Sequence, residues 1–248
     1  MIWDECDGPG QVRPIAGTLY RLVESQEQVA TLGYVDTLEE QALLEAMLEE
    51  VKPPYPDGTG KLHYLLKTPF RYPPLKWGSR FGRRHEPSLF YAGKAVEPTL
   101  AEAAYYRFVF WYSMAGEPVS DRIRTEHTLF SARYSSDTGI RLQAPPFGQF
   151  EKKLRHPSSY TDCQALGTAM RDAGIEAFEY RSARDPAAGI CVALFLPSGL
   201  VSKRPLRSNQ WLCELGASEV SFKKLGTHTV TSFTVSTFHH ENRLPLPA

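Results

Sequence analysis

The sequence predicts one domain in which α-helices and β-strands are mixed, and three observations carry that prediction. Short apolar runs at 18–25 (TLYRLVES), 88–93 (SLFYAG) and 190–196 (ICVALFL) have the length and composition of strands. Between them lie segments with helix start signals or a helical apolar period, at 37–50, 99–113 and 159–174. The 248 residues contain no internal repeat and no linker that would split the chain, and one large domain accommodates that length.

Composition narrows the function classes. Lys+Arg and Asp+Glu balance at 28 each, so no bulk charge draws the chain to nucleic acid or to a membrane surface. A hydrophobic content of 42% and a charged content of 23% are those of a soluble globular protein. No run approaches the ~18 apolar residues of a membrane span. The acidic start MIWDECDGPG lacks a basic-then-apolar leader, so a cytoplasmic location is expected. Cys6, Cys163, Cys191 and Cys213 form no CxxC pair, which reads as structural thiols in a reducing compartment. The histidines form no ligand pair beyond the adjacent His239 and His240, and no structural or catalytic metal is expected.

Taken in order, residues 1–17 are interrupted by Pro and Gly and are expected to be irregular. The 18–25 strand alternates Leu19, Arg21 and Val23 with Tyr20 and Leu22, so burial on both faces is expected. An unpaired buried charge is costly; Arg21 is therefore either ion-paired in the core or aimed at an anionic ligand. Thr37-Leu38-Glu39-Glu40 is a capping box opening a helix to about Glu50, with Leu43, Leu44, Met47 and Leu48 as its buried stripe. Pro53 and Pro54 close it, PDGTG (56–60) is a turn, and KLHYLLKT (61–68) is the next candidate strand. FRYPPLKWGSRFG (70–82) is a stiff loop in which the prolines hold Arg71 and Tyr72 extended. Gly78 and Gly82 bracket Arg80 and let backbone approach whatever it holds.

After the 88–93 strand, Thr99 caps a helix from Leu100 to about Ser113 with Glu102 in its first turn. Residues 117–141 lead into one or two strands, and QAPPFGQFEKKLRHPSS is a polar, proline-broken loop. The 159–174 helix carries Cys163, Leu166, Ala169 and Met170. IEAFEYRSARDPAAGICVALFLPS reads strand, loop, strand, with ICVALFL central in its sheet and Ser182 at the mouth of the loop. EVSFKKLGTHTVTSFTVSTFHH suits a late strand hairpin, and NRLPLPA an extended end.

Residues 67–106 concentrate the chemistry. Arg80 in GSRFG, Tyr91 in LFYAG and Glu102 in TLAEAAYY are separated by eleven residues each, and a loop–strand–helix path brings them towards one end of the strand. A cation, a flat aromatic and a carboxylate there suit a phosphorylated ligand that carries a sugar and a ring. Each residue also has a plainer reading. A first-turn carboxylate is favoured by the helix dipole whatever its function, a loop serine is ordinarily a turn residue, and buried tyrosines are common.

RLV near the start, GSRFG, LFYAG followed by TLAEA, and YRSARDP before an apolar strand together resemble the RES domain across residues 18–205. The HYLL-TPFRYPPL-GSRFG pattern at 63–82 resembles the ParT-type branch of that family. The family is named for an arginine, a glutamate and a serine, which fall here on Arg80, Glu102 and Ser182. The resemblance implies an α+β, ADP-ribosyltransferase-like domain, with a split mixed β-sheet core and flanking helices. The resemblance does not cover residues 1–17, expected to be an irregular N-terminal extension, or 206–248, expected to be a strand-rich extension packed on the same domain, so nothing of the family transfers to them. It further implies a toxin of a bacterial toxin–antitoxin pair, neutralised by an Xre-type partner. Such toxins consume NAD+, breaking the nicotinamide–ribose bond and passing ADP-ribose to water, phosphate or a protein.

That implication suits the residues. Glu102 could stabilise the oxocarbenium-like sugar, and Arg80, with Arg21 as second candidate, could hold the pyrophosphate as a bidentate fork. Tyr91 could stack on nicotinamide, Ser182 could hydrogen-bond its amide or the ribose, and Arg71 and Tyr72 could line the same mouth. There is no GxGxxG and no GxxxxGK[ST], so NAD+ would be a substrate, with no metal, rather than a recycled redox cofactor. Two rivals stand beside this reading. A ribonuclease toxin would pair Glu102 with His63 or His85 and grip phosphates through basic residues at 83–84, 152–155 and 203–207, against the balanced net charge. A non-enzymatic nucleotide- or partner-binding module would need the same pocket and tolerate loss of Glu102. A homodimer is compatible with all of these, and the antitoxin is expected to plug the cleft around Arg80 and Tyr91.

Overall fold

The computed structural model describes residues 1–25, 34–116, 118 and 120–246. The described chain contains six α-helices and eight strands, together with short 3-10 turns. The helices are α1 (Ile2–Glu5), α2 (Leu38–Glu50), α3 (Tyr64–Lys67), α4 (Val96–Tyr112), α5 (Glu151–Leu154) and α6 (Thr161–Asp172). The strands are β1 (Arg13–Glu24), β2 (Phe90–Gly93), β3 (Arg122–Arg141), β4 (Ala177–Arg181), β5 (Ile190–Leu194), β6 (Arg207–Gly216), β7 (Glu219–Lys224) and β8 (Val230–Thr234). No described helix is long and apolar enough to cross a membrane.

All eight strands join one mixed sheet in the order β1-β2-β5-β4-β3-β6-β7-β8, and β1 pairs with β3 as well. The 20-residue β3 makes this possible. Along one edge it runs antiparallel to β1, from Glu24↔His127 to Arg13↔Gly139. Along the other it first pairs with β6 (Arg122↔Gly216 to Ser131↔Arg207) and then, at Gly139–Arg141, runs parallel to β4. Strands β1, β2, β5, β4 and β3 therefore close into a ring, from which β6–β8 extend as an antiparallel wing.

Alternation along the ring strands explains their unbroken apolar sequence. Phe90, Ala92, Val192 and Leu194 face one cluster with Ile15, Leu19 and Phe130. Their neighbours Leu89, Cys191, Ala193 and Phe195 face another, built on Phe81, Phe147, Met170 and Phe178. A strand buried on both faces reads as a continuous apolar run. A third cluster packs Leu100, Ala104, Tyr105 and Phe108 of α4 onto the wing residues Trp211, Leu215 and Phe222.

Several local expectations are corrected. Residues 1–17 are ordered: α1 buries Ile2 and Trp3, and β1 begins at Arg13. Residues 61–68 form α3 and a 3-10 turn rather than a strand, because the buried residues Leu66 and Phe70 lie four apart, the helical period. His63 Nδ1 accepts from Leu65 N and caps the turn. Thr37 does cap α2, its hydroxyl accepting from Glu40 N at 3.1 Å, but no residue of α2 is buried. The expected stripe faces outward, with Leu43 63% and Met47 57% exposed. Helix α4 starts at Val96, four residues early, so Thr99 lies inside it and donates to Ala95 O and Tyr20 O. Glu102 consequently sits in the second turn, beyond strong influence of the helix dipole. Arg71 is helical (φ −79°, ψ −44°), since the pre-proline restriction falls on Tyr72 alone. The 143–159 loop contains α5 and a preceding 3-10 turn.

One buried carboxylate spans the ring. Glu179 on β4, 2% exposed, receives hydrogen bonds from Lys94 Nζ (2.6 Å), Tyr134 Oη (2.6 Å) and Gln143 Nε2 (2.9 Å). Burial alone would raise its pKa; these partners outweigh burial and hold it below the ordinary value. Glu179→Ala is expected to cost about 3–5 kcal/mol in denaturant unfolding, as loss of one partner of a buried pair does. A depressed folded-state pKa makes this stability present above the ordinary carboxylate value of 4.5 and lost as pH falls through the folded value. Glu179→Gln should therefore flatten the acid limb of a stability–pH curve.

Candidate active site

A cleft of about 550 Å³ opens where β1, β2, α4 and the 72–80 loop meet. Its size falls within the roughly 300–1,000 Å³ of small-molecule and cofactor sites. The loop is stiffened from several sides. Gly78 takes φ +75°, a conformation that L side chains rarely adopt, and Ser79 N donates to Gly82 O at 2.8 Å. Gln164 of α6 donates to Trp77 O and Ser79 O. Gly167 lets the backbone of Phe81 lie directly on α6, where a Cβ would meet Phe81 O at 2.0 Å.

Arg80 leaves this loop into the cleft wall. Its Nη1 donates to His156 O (2.9 Å) and Leu154 O (3.3 Å), and its guanidinium lies 4.6 Å from the Tyr160 ring centre. Burial alone would lower its pKa, but Tyr160, Cys163, Glu102 and Tyr106 around it raise it, so it stays a cation. Arg21 reaches in from β1, with Nη1 donating to Tyr91 O at 2.6 Å and its guanidinium 5.1 Å from the Phe90 ring. Its Nε is buried without a partner, and burial pushes its pKa down to about 10. Arg184 completes the set, stacked 3.4 Å over the Tyr105 ring and donating to Pro157 O at 2.7 Å. None of these three arginines is ion-paired with a carboxylate among the described residues. Of the two cleft-lining glutamates, Glu24 is paired with Arg107 at 3.0 Å, which leaves Glu102 as the carboxylate facing the arginines.

Tyr91 lines the cleft from β2, but its hydroxyl is held by Ser79 Oγ (2.9 Å) and accepts from Phe81 N (3.0 Å). Burial pushes its pKa up to about 12. Tyr72 stands half-exposed at the rim. Arg71 lies outside the cleft lining. It binds Glu49 Oε1 (2.6 Å) and Pro53 O (2.5 Å) and stacks on Tyr55, tying α2 to the body. Ser182 is also outside the lining and fully buried. Its hydroxyl donates to Glu102 Oε1 at 2.5 Å and accepts from Arg184 N (3.1 Å) and Asp185 N (2.9 Å). One donor and two acceptor positions exhaust a hydroxyl, so Ser182 orients Glu102 rather than a ligand. Arg184, Tyr106 and Tyr160 are among the cleft residues the sequence reading misses. Arg184 sits two residues past Ser182 in YRSARDP, and the signal available was its charge next to a buried serine.

A model of the RES domain family matches residues 57–215, and the chain belongs to that family. The matched span includes Arg71, Tyr72, Arg80, Tyr91, Glu102 and Ser182 and leaves Arg21 outside. Among solved structures, a chain of the M. tuberculosis MbcT–MbcA toxin–antitoxin complex is similar at 12% identity and a TM-score of 0.47, covering 84% of this chain and 90% of that one. No curated protein matches the chain.

The bonding of Ser182 separates a structural from a ligand-contacting role. Ser182→Ala should cost about 1–3 kcal/mol in denaturant unfolding, since it strands two buried N–H donors. Tyr72→Ala at the open rim should stay within about 0.5 kcal/mol.

Proposed function

We propose that this chain is an NAD+-consuming toxin that cleaves the nicotinamide–ribose bond and transfers ADP-ribose to water, phosphate or a protein. The observation that carries the reading is the charge arrangement of the cleft, in which three arginines without carboxylate partners face one oriented glutamate. Buried cations without counter-charges are costly unless a ligand supplies the charge, and a pyrophosphate would supply it. Arg21 and Arg80 would hold that group, and the walls of Tyr91, Tyr106 and Tyr160 would flank the rings.

In the reaction the C–N bond to ribose breaks, its electron pair leaves on a neutral nicotinamide, and the sugar gains oxocarbenium character. The leaving group needs no proton, so the site supplies orientation and charge complementarity. Glu102, its Oε1 already oriented by Ser182, would place negative charge beside the ribose and accept a hydrogen bond from one of its hydroxyls. The acceptor then attacks the sugar carbon, and a water or protein acceptor gives up its proton to solvent as the new bond forms.

The toxin role follows from what RES family membership implies, and with it an Xre-type antitoxin that would cover the cleft mouth at Arg80 and Tyr91. The ribonuclease alternative is disfavoured by the cleft itself. No histidine lines it among the described residues, His63 being occupied as the cap of α3 and His85 lying exposed on the surface.

The test is nicotinamide release from NAD+ by the purified chain, with and without phosphate and a cell extract. Glu102→Gln should lower the rate by about 10²–10³-fold, the scale for removal of one preorganised charge-stabilising group, and should still bind NAD+. The second product names the acceptor. Wild-type release unaffected by Glu102→Gln, or no release from folded, antitoxin-free protein, would sink the assignment.

A further inference from the structure

Arg155 touches neither the cleft nor Glu102, yet it holds the loop on which the orientation of Glu102 depends. It follows α5, is absent from the cleft lining, and is anchored through Nη1 to Glu151 Oε1 at 3.0 Å. Its other two nitrogens grip the 182–189 loop: Nε donates to Ser182 O at 2.7 Å and Nη2 to Asp185 O at 3.3 Å. These two carbonyls belong to residues that shape the Ser182 hydroxyl environment. Asp185 N is one of the two amides donating to Ser182 Oγ. The Asp185 carboxylate folds the rest of the loop, accepting from Ala187 N and Gly189 N at 3.0 Å each.

The same loop is set against the helix that carries Glu102. A Cβ on Gly189 would meet Pro98 of α4 at about 3.1 Å, and Arg184 stacks on Tyr105 of α4. Ser182 Oγ then reaches Glu102 Oε1 at 2.5 Å. The loop is thus a pedestal between α4 and α5, and a planar guanidinium fork holds two of its carbonyls in a fixed geometry that the rotatable point charge of an ammonium does not impose.

We propose that Arg155 is a positioning residue for Glu102, acting through Ser182 and without contact to the substrate. The proposal rests on the reading of Glu102 as the group that stabilises the ribose cation. Arg184 is the one cleft arginine on this loop, and it keeps its own anchors at Pro157 O and the Tyr105 ring; Arg21 and Arg80 bond no atom of the loop, so loss of Arg155 should affect turnover and spare ground-state binding.

The test compares wild type, Arg155→Met and Arg155→Lys by steady-state nicotinamide release and by hydrogen exchange of the 181–190 segment. Arg155→Met should lower kcat by about 10- to 100-fold, the scale of a misplacement of order 1 Å at a reacting group, with KM for NAD+ within about twofold. Arg155→Lys, which keeps the charge but not the fork, should fall between the two. Exchange at the amides of Arg184, Asp185, Ala187 and Gly189 should quicken in Arg155→Met while the sheet stays protected. Unchanged kcat, or a rise in KM matching the whole loss, overturns the proposal. If wild type releases no nicotinamide, the functional reading falls by itself. Exchange still decides the clamp, and unchanged protection in Arg155→Met overturns it.

Discussion

The fold hangs on the closure of a ring at its parallel seam. Strands β3 and β4 pair in parallel over only three positions, Gly139↔Ala177 to Arg141↔Glu179, and short parallel ladders are held less firmly than antiparallel ones. Glu179 sits in that seam and gathers donors from three places: Lys94 just after β2, Tyr134 within β3 and Gln143 just after it. A buried carboxylate with all these donors satisfied fixes the relative positions of the segments it joins. Closure at this seam brings β2 beside β1, where the pairing reduces to Tyr20↔Gly93. That narrow contact is what sets Arg21 beside Tyr91 and opens the cleft.

The cleft is assembled from elements that are rigid for independent reasons. Arg80 comes from a loop locked onto α6, Tyr91 from a strand buried on both faces, and Glu102 from a helix packed on the wing. The arginines are held without ion pairs by backbone carbonyls and aromatic faces, which satisfy hydrogen bonds and leave the charge uncancelled. The unpartnered Nε of Arg21 shows the cost most directly. A chain that leaves buried charges without ion pairs in this cleft, and pairs one at Glu179, makes the cleft the candidate site for an anionic ligand.

Some of this was legible because the local pattern and the tertiary role coincide. ICVALFL reads as a central strand since each of its two faces meets a separate core cluster. Thr37 reads as a cap since the hydroxyl needs only the amide three residues on. Other readings fail where a pattern has two outcomes. The apolar face of α2 shows that the helix has such a face, but not that anything covers it. KLHYLLKT carries too few residues to separate period two from period 3.6, and the four-residue step from Leu66 to Phe70 decides it. Residues 207–216 alternate polar and apolar side chains only loosely, yet the long free edge of β3 recruits them as β6.

The sequence by itself determined the element types along most of the ring, the family, and the identity of the arginine, tyrosine and glutamate that meet in the cleft. These are properties of local spacing and of motifs, and they survive without knowledge of what packs against what. Only the tertiary structure decided which groups face the cleft. Ser182 is turned inward because Glu102, Arg184 and Asp185 use its full hydrogen-bonding capacity. Arg71 is drawn out of the site by Glu49, and Arg184 is carried into it by the loop that Ser182 closes. A side chain's direction depends on partners distant in sequence, here 80 residues away for Ser182 and Glu102, and no local pattern records them.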